Sequence, residues 1–163
     1  MHGVGERMKV LIVYDSVSPA KATASIAEII GGVLKEKGLA VDSFFVNNAD
    51  KVAVKEYDCL LAGAPTMQFR ATPAITRFLD GLPSAECSGK LAAAFDTQVK
   101  SRFSGSAVKG IESKLKNSGF KLVAEPLVAY VDGKLRQNEW RFREGEPEKA
   151  KTWALELAKA LTK

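Results

Sequence analysis

The chain has 163 residues, 46% of them hydrophobic and 26% charged, a composition that excludes a disordered or fibrous chain and fits one globular domain with a sizeable core. No apolar run approaches the ~20 residues of a membrane-spanning helix, so no membrane association is expected. The net charge of +5 comes from lysines scattered along helices and turns, with no basic run interleaved with aromatics, which argues for a solvated surface and against nucleic acid.

The opening MHGVGER is too short and polar for a signal peptide. Residues 1–7 are read as a loose leader and 8–163 as a single domain, with a cytoplasmic location as the default. His2, in the leader, is the only histidine, which removes most metal chemistry and every Ser/His or Cys/His catalytic pairing. Met8–Tyr14 (MKVLIVY) is an almost continuous β-branched apolar run, the pattern of a strand buried on both faces. Ile26, Ile29, Ile30, Val33 and Leu34 then recur at helical spacing and predict a helix from about Thr23 to Lys37, closed by Gly38. Gly31 and Gly32 inside it cost roughly 1 kcal/mol each against alanine; close packing on a strand is the expected reason.

Ala40–Val46 is a second strand, Asn47–Glu56 a connection with a short helical turn, and Asp58–Ala64 a third strand. Cys59 lies in that apolar strand and Cys87 in a polar connection, where surface exposure is expected; two such cysteines make neither a disulfide scaffold nor a metal cluster. Pro73–Leu82 reads as a helix started by Thr72 and Pro73. Leu91–Phe95 is a fourth strand, Ser106–Asn117 a helix, and Lys121–Ala124 a fifth strand that resumes at Val128–Val131 past Pro126. Asp132–Gly145 is polar and irregular, with Trp140 and Phe142 capping an edge of the core, and Glu148–Leu161 is the last helix, with Trp153 turned inward. Strands alternating with helices predict a three-layer α/β domain: a doubly wound sheet of five parallel strands in order 2-1-3-4-5, helices on both faces.

In such a sheet, ligands bind at the carboxyl ends of the strands, near the switch between strands one and three. Three loops reach that edge. Asp15–Ala22, followed by Thr23, sets the hydroxyls of Ser16, Ser18 and Thr23 beside a helix N-terminus, a place that attracts phosphate; Lys21 adds charge. Simple helix capping explains the same residues about as well. Pro65–Thr72 carries Met67 and Phe69, large apolar side chains that either face a ligand or fold back into the core. Thr97–Gly105 follows Asp96 and carries Phe103; a polar strand end beside an aromatic suits the hydrogen-bonding edge of a heterocycle, while Ser104 or Ser106 as a cap is the plainer alternative.

The stretches VLIVYDSVSPAKATASIAEII, GAPT with PAITRFLDGL, and AAFDTQVKSRFSGSAVKGIESKLKNSGFKL together resemble the flavodoxin family from Met8 to Leu161. GAPT also resembles the flavodoxin domains of flavodiiron proteins and flavin-dependent quinone reductases. The resemblance implies a flavodoxin-like fold holding FMN. Its phosphate would take Ser16, Val17, Ser18, Lys21, Ala22 and Thr23, and its ring would lie among Pro65, Thr66, Met67, Gln68, Phe69, Asp96, Thr97, Gln98, Phe103 and Gly105. Met67 matches the position of the family's methionine or tryptophan against the ring, and Phe103 is the candidate for the other face. The family's phosphate loop reads T/S-x-T-G-x-T; this one has no glycine and about two more residues.

The function implied is electron transfer between redox partner proteins, with no residue poised as a general acid or base. Because the chain is basic where many of that family are acidic, the expected partner presents an acidic face. Two other functions stay open on the same residues: an FMN-dependent NAD(P)H:quinone oxidoreductase, and a cofactor-free interaction module on this fold.

Overall fold

In the computed structural model, which describes residues 7–16, 21–66, 70–99, 106–134 and 139–162, the apolar runs of the sequence lie side by side as parallel strands. They are β1 (Lys9–Tyr14), β2 (Ala40–Phe45), β3 (Cys59–Pro65) and β4 (Leu91–Val99). Val10–Val13 of β1 are fully buried, as are all seven residues of β3, because helices cover both faces. On one face, α1 (Ala22–Glu36) and α5 (Glu146–Leu161) pack over Ile12, Leu61 and Phe95. On the other, α2 (Pro73–Asp80), the short α3 (Ser84–Cys87) and α4 (Ala107–Asn117) pack over Leu11, Leu60 and Ala94. Two 3-10 turns, Val46–Asn48 and Val54–Glu56, occupy the connection from β2 to β3.

The expected order 2-1-3-4 holds, and the fifth position is more elaborate than a single strand. Two segments pair with β4 in parallel: β5 (Lys121–Leu122) alongside Leu91–Ala92, and β6 (Leu127–Lys134) alongside Phe95–Val99. Pro126, which has no N–H to give a ladder, lies in the gap between them. Beyond β6, the segment expected to be irregular contributes β7 (Glu139–Phe142), antiparallel to β6 from Val131↔Phe142 to Lys134↔Glu139. The sheet is therefore seven-stranded, in order β2-β1-β3-β4-β6-β7 with β5 also on β4. A polar margin strand offers little apolar alternation, so its letters read as loop. Phe142 does pack against the core as expected; the side chain of Trp140 lies outside the described residues.

Three local expectations are corrected. Cys87 is buried at 0% exposure although its neighbours in sequence are polar. Burial pushes the Cys59 thiol up to about 12 and raises that of Cys87, so both are protonated, unreactive packing groups. Gly31 and Gly32 are not demanded by packing: a methyl at Gly31 would sit 3.6 Å from Ile12 Cδ1, ordinary contact, and one at Gly32 would meet nothing within 4 Å. Trp153 is half-buried rather than turned fully inward, its indole N–H donating to the Glu125 carbonyl at 2.8 Å.

Candidate functional site

The carboxyl ends of β1, β3 and β4 meet at one edge and are tied there by backbone hydrogen bonds. Asp15 N–H donates to the Gly63 carbonyl and Thr66 N–H to the Thr97 carbonyl, both at 2.9 Å. Packing under this edge is tight. A Cβ at Gly63 would lie 2.2 Å from Cε2 of Phe95, its partner in register, so the bare glycine is what admits that fully buried ring.

The helix that starts at this edge, α1, is capped from outside. Lys21 occupies its N-cap in the left-handed region (φ 57°, ψ 32°), a conformation costing a non-glycine residue about 1–2 kcal/mol, and its side chain makes no capping bond. Ser16 Oγ accepts instead from Ala24 N–H at 3.3 Å. Thr23, whose hydroxyl could have capped, pairs with Thr97 Oγ1 on β4 at 2.8 Å, fully buried. The first N–H groups of a helix have no intrahelical acceptor. Ala24 is taken by Ser16; among the described residues those of Ala22 and Thr23 have no acceptor, and they lie at the positive end of the α1 dipole.

The second feature is a carboxylate set inside the edge. Asp96 has 0% exposure on β4, opposite Ala64 of β3 and Val128 of β6. Its Oδ2 accepts from Thr66 Oγ1 at 2.8 Å, Gln98 Nε2 at 2.9 Å and Ser106 Oγ at 3.3 Å. Its Oδ1 is buried and has no hydrogen-bond partner among the described residues. Thr66 Oγ1 in turn accepts from Ala107 N–H at 2.9 Å, so a threonine after β3 caps α4 and the serine at the N-cap position, Ser106, turns to Asp96. Burial raises the Asp96 acid to about 6, against the lowering effect of the bonds from Thr66, Gln98 and Ser106 and of the nearby Ala107 N–H, which itself donates to Thr66. A buried carboxylate with three donors on one oxygen and none on the other leaves a strong acceptor unpaired, a costly arrangement in a folded interior.

Of the residues singled out in the sequence, Ser16, Lys21, Ala22, Thr23, Pro65, Thr66, Asp96, Thr97 and Gln98 lie at this edge. Val17, Ser18, Met67, Gln68, Phe69, Phe103 and Gly105 lie outside the described residues. Thr97 and Gln98, expected in the loop, are strand residues like Asp96 before them, because β4 runs on to Val99. Pro65 is likewise the last residue of β3. Thr72 does occupy the N-cap of α2, but its hydroxyl makes no capping bond and is buried without a partner among the described residues. Ser106, read only as a cap, is the residue the sequence undervalued; its partner is ten positions away on a neighbouring element, which no local pattern reveals. A groove of about 650 Å³ runs along the flank of α2 past Val46, Val52, Ala74, Phe78 and Leu82, and no candidate residue lines it.

Comparison with known proteins agrees with this architecture. No protein-family model matches the chain, and no curated protein sequence does. Solved structures match it in shape. A flavodoxin from the domain Archaea superposes with a TM-score of 0.75 at 21% identity, covering 96% of this chain and 100% of that one. Oxidised flavodoxin 1 from Bacillus cereus gives 0.75 at 21% identity, covering 94% and 99%. The flavodiiron protein from Giardia intestinalis gives 0.72 at 19% identity, over 94% of this chain but 36% of that longer one. Strand order, layering and near-complete mutual coverage agree: this chain has the flavodoxin fold.

Proposed function

We propose that the chain binds FMN at the β1–β3–β4 edge and carries electrons between redox partner proteins. One observation carries the reading: a helix mouth with two N–H groups and a buried carboxylate with one oxygen, none of them partnered among the described residues, share a single sheet edge on this fold. The phosphate would take the N–H groups of Ala22 and Thr23, the hydroxyls of Ser16 and Ser18, and the charge of Lys21, with Val17 lending backbone. The ring would take Met67, Phe69 and Phe103 as apolar flanks. Its polar edge would meet the strand ends at Thr66, Asp96, Thr97 and Gln98, with Pro65, Gln68 and Gly105 shaping the walls.

When bound, the flavin supplies the redox chemistry. The chain's own residues hold the phosphate, orient the ring and exclude water from one side of it. No acid–base group for a separate substrate is needed for that role, which favours a carrier over a quinone reductase. The described surface at this edge carries exposed Lys21 and Arg70, so the proposed partner presents an acidic face, and transfer between them slows as salt rises. Among the described residues no helix is long and apolar enough to cross a membrane, and we place the protein in the cytoplasm.

The test is a visible spectrum of protein purified without added flavin, followed by titration of stripped protein with FMN. A flavin spectrum whose released species is FMN supports the reading. Colourless protein whose titration leaves FMN fluorescence unchanged overturns it. Turnover of NADH or NADPH with a quinone, without a reductase partner, moves the assignment to the oxidoreductase.

A further inference from the structure

We propose that the chain pairs with a second copy of itself, β2 to β2, in an antiparallel dimer whose two-fold axis passes at Ser43. The β1–β3–β4 edge takes no part in the contact, so the flavin reading stands or falls separately.

β2 ends the sheet and pairs only with β1. Ala40 N–H donates to the Met8 carbonyl, so Ala40, Asp42 and Phe44 turn their backbone groups toward β1. By alternation, the backbone groups of Val41 and Ser43 and the N–H of Phe45 point outward, where among the described residues no strand meets them. An edge of this kind is a template for another strand unless it is guarded. The opposite margin is guarded: β7 carries exposed Arg141, and Arg143 just beyond it pairs with Asp132 at 2.9 Å. β2 holds no proline, lysine or arginine, and its one charged side chain, Asp42, accepts from Tyr57 Oη at 2.6 Å.

The strand itself selects a second copy and one register. Only registers that set outward residue against outward residue give an antiparallel ladder. Centred on Asp42, the pairing would put Asp42 opposite the partner's Asp42, and like charges in that position repel. Centred on Ser43, Ser43 exchanges both bonds with the partner's Ser43, and Phe45 N–H meets the partner's Val41 carbonyl. Val41 and Phe45, both half-buried, then face each other across the strands as a β-branched–aromatic pair.

α1 adds charge complementarity at the same level. A Cβ on Gly31 would sit 3.6 Å from Ile12 Cδ1 and 3.9 Å from Val41 Cγ1, and Ile12 is in register with Ser43. Gly31 therefore marks the flank of α1 that overlooks the open edge, at the height of the axis. Glu28 and Lys35, one turn to either side, share that flank. Both are exposed, they lie about 10 Å apart along the helix, and neither has an ion-pair partner among the described residues. The two-fold turns α1 end over end, so each Glu28 comes level with the partner's Lys35. Gly31 and Gly32 leave the flank bare between the two charges.

The test is sedimentation velocity on the purified full chain from low micromolar to near-millimolar concentration, with amide hydrogen exchange read by NMR at both ends of that range. A monomer–dimer equilibrium is expected, and exchange at the Ser43 amide slows as the dimer forms. Ser43→Pro removes an N–H that β1 does not use, so the sheet is kept and dimerisation weakens about a hundredfold through loss of the central pair. Glu28→Lys sets like charges across the axis and weakens the dimer about tenfold at low salt, and Glu28→Lys combined with Lys35→Glu restores it. Circular dichroism checks that each variant is folded; if Ser43→Pro is not, the charge reversal and its rescue decide the question. A chain that stays monomeric across the whole range overturns the proposal, as does a dimer whose Ser43 amide exchanges as fast as in the monomer. A dimer that neither Ser43→Pro nor Glu28→Lys weakens uses another surface and overturns it as well.

Discussion

Replacing Gly63 with alanine tests whether the site edge is packed as tightly as the geometry requires. The added Cβ would sit 2.2, 2.3 and 2.5 Å from Cε2, Cζ and Cδ2 of Phe95, all far inside contact distance. The obstruction is a whole ring at 0% exposure, not the tip of a flexible chain. Phe95 sits among Ile26, Leu61 and Ala93 under α1 and α5, so it has no free direction to move. Either β3 and β4 separate locally or the ring leaves its slot. Overpacking of this kind costs about 1–3 kcal/mol, and expelling the ring approaches the 3–5 kcal/mol of a phenylalanine truncation. A loss of roughly 3 kcal/mol is therefore expected in urea unfolding, read as a lower midpoint at unchanged slope. Phe95→Leu should recover part of the loss when combined with Gly63→Ala, giving a favourable coupling in the double-mutant cycle. A single mutant within 0.5 kcal/mol of wild type would falsify the packing argument.

The same fold sets four further outcomes. Asp96 holds its acid near 6 when folded against an ordinary 3.8, about two units or ~3 kcal/mol; stability from this group is present below pH 4 and lost as pH rises through 6. Unfolding free energies of wild type and Asp96→Asn should thus diverge from pH 4 to 7 in favour of the variant, and parallel curves would refute the burial argument. Gly32→Ala should stabilise α1 by roughly 0.5–1 kcal/mol, since the methyl meets nothing within 4 Å; a thermal midpoint that falls would contradict this. Lys21→Gly relieves the left-handed backbone and should stabilise the stripped protein by about 1 kcal/mol while weakening FMN binding, and unchanged FMN affinity would remove Lys21 from the phosphate site. Thr97→Val orphans the buried Thr23 hydroxyl and should cost about 1–3 kcal/mol in denaturant midpoint; a neutral result would mean that Thr23 finds another partner.

The central strands and the long helices were legible because burial on two faces writes a continuous apolar run and burial on one face writes a 3.6-residue stripe. Met8–Tyr14, Cys59–Ala64 and Ile26–Leu34 are examples. The sheet margin was not legible, since β5 has two residues and β7 is short and polar. The sheet edge where β1, β3 and β4 end followed from strand order alone, yet the hydrogen bonds at that edge did not. Asp96, Thr97 and Gln98 interrupt an apolar run, so the reading stopped the strand at Phe95, whereas these polar side chains are buried by Gln98 pairing with Asp96 and by Asp96 and Thr97 pairing with residues 10 to 74 positions away. Non-local hydrogen bonds of that kind satisfy a buried group without leaving any local pattern.

Two helices at this edge have their first turns secured by hydroxyls that belong to other parts of the chain, Ser16 for α1 and Thr66 for α4. A helix that carries its own cap can begin as a local event; these cannot complete their starts until the sheet has brought the borrowed oxygen into place. Amide exchange at Ala24 and Ala107 should therefore follow the opening of the strand ends, not the independent fraying of either helix. In refolding, both turns should order late, after β1, β3 and β4 have joined.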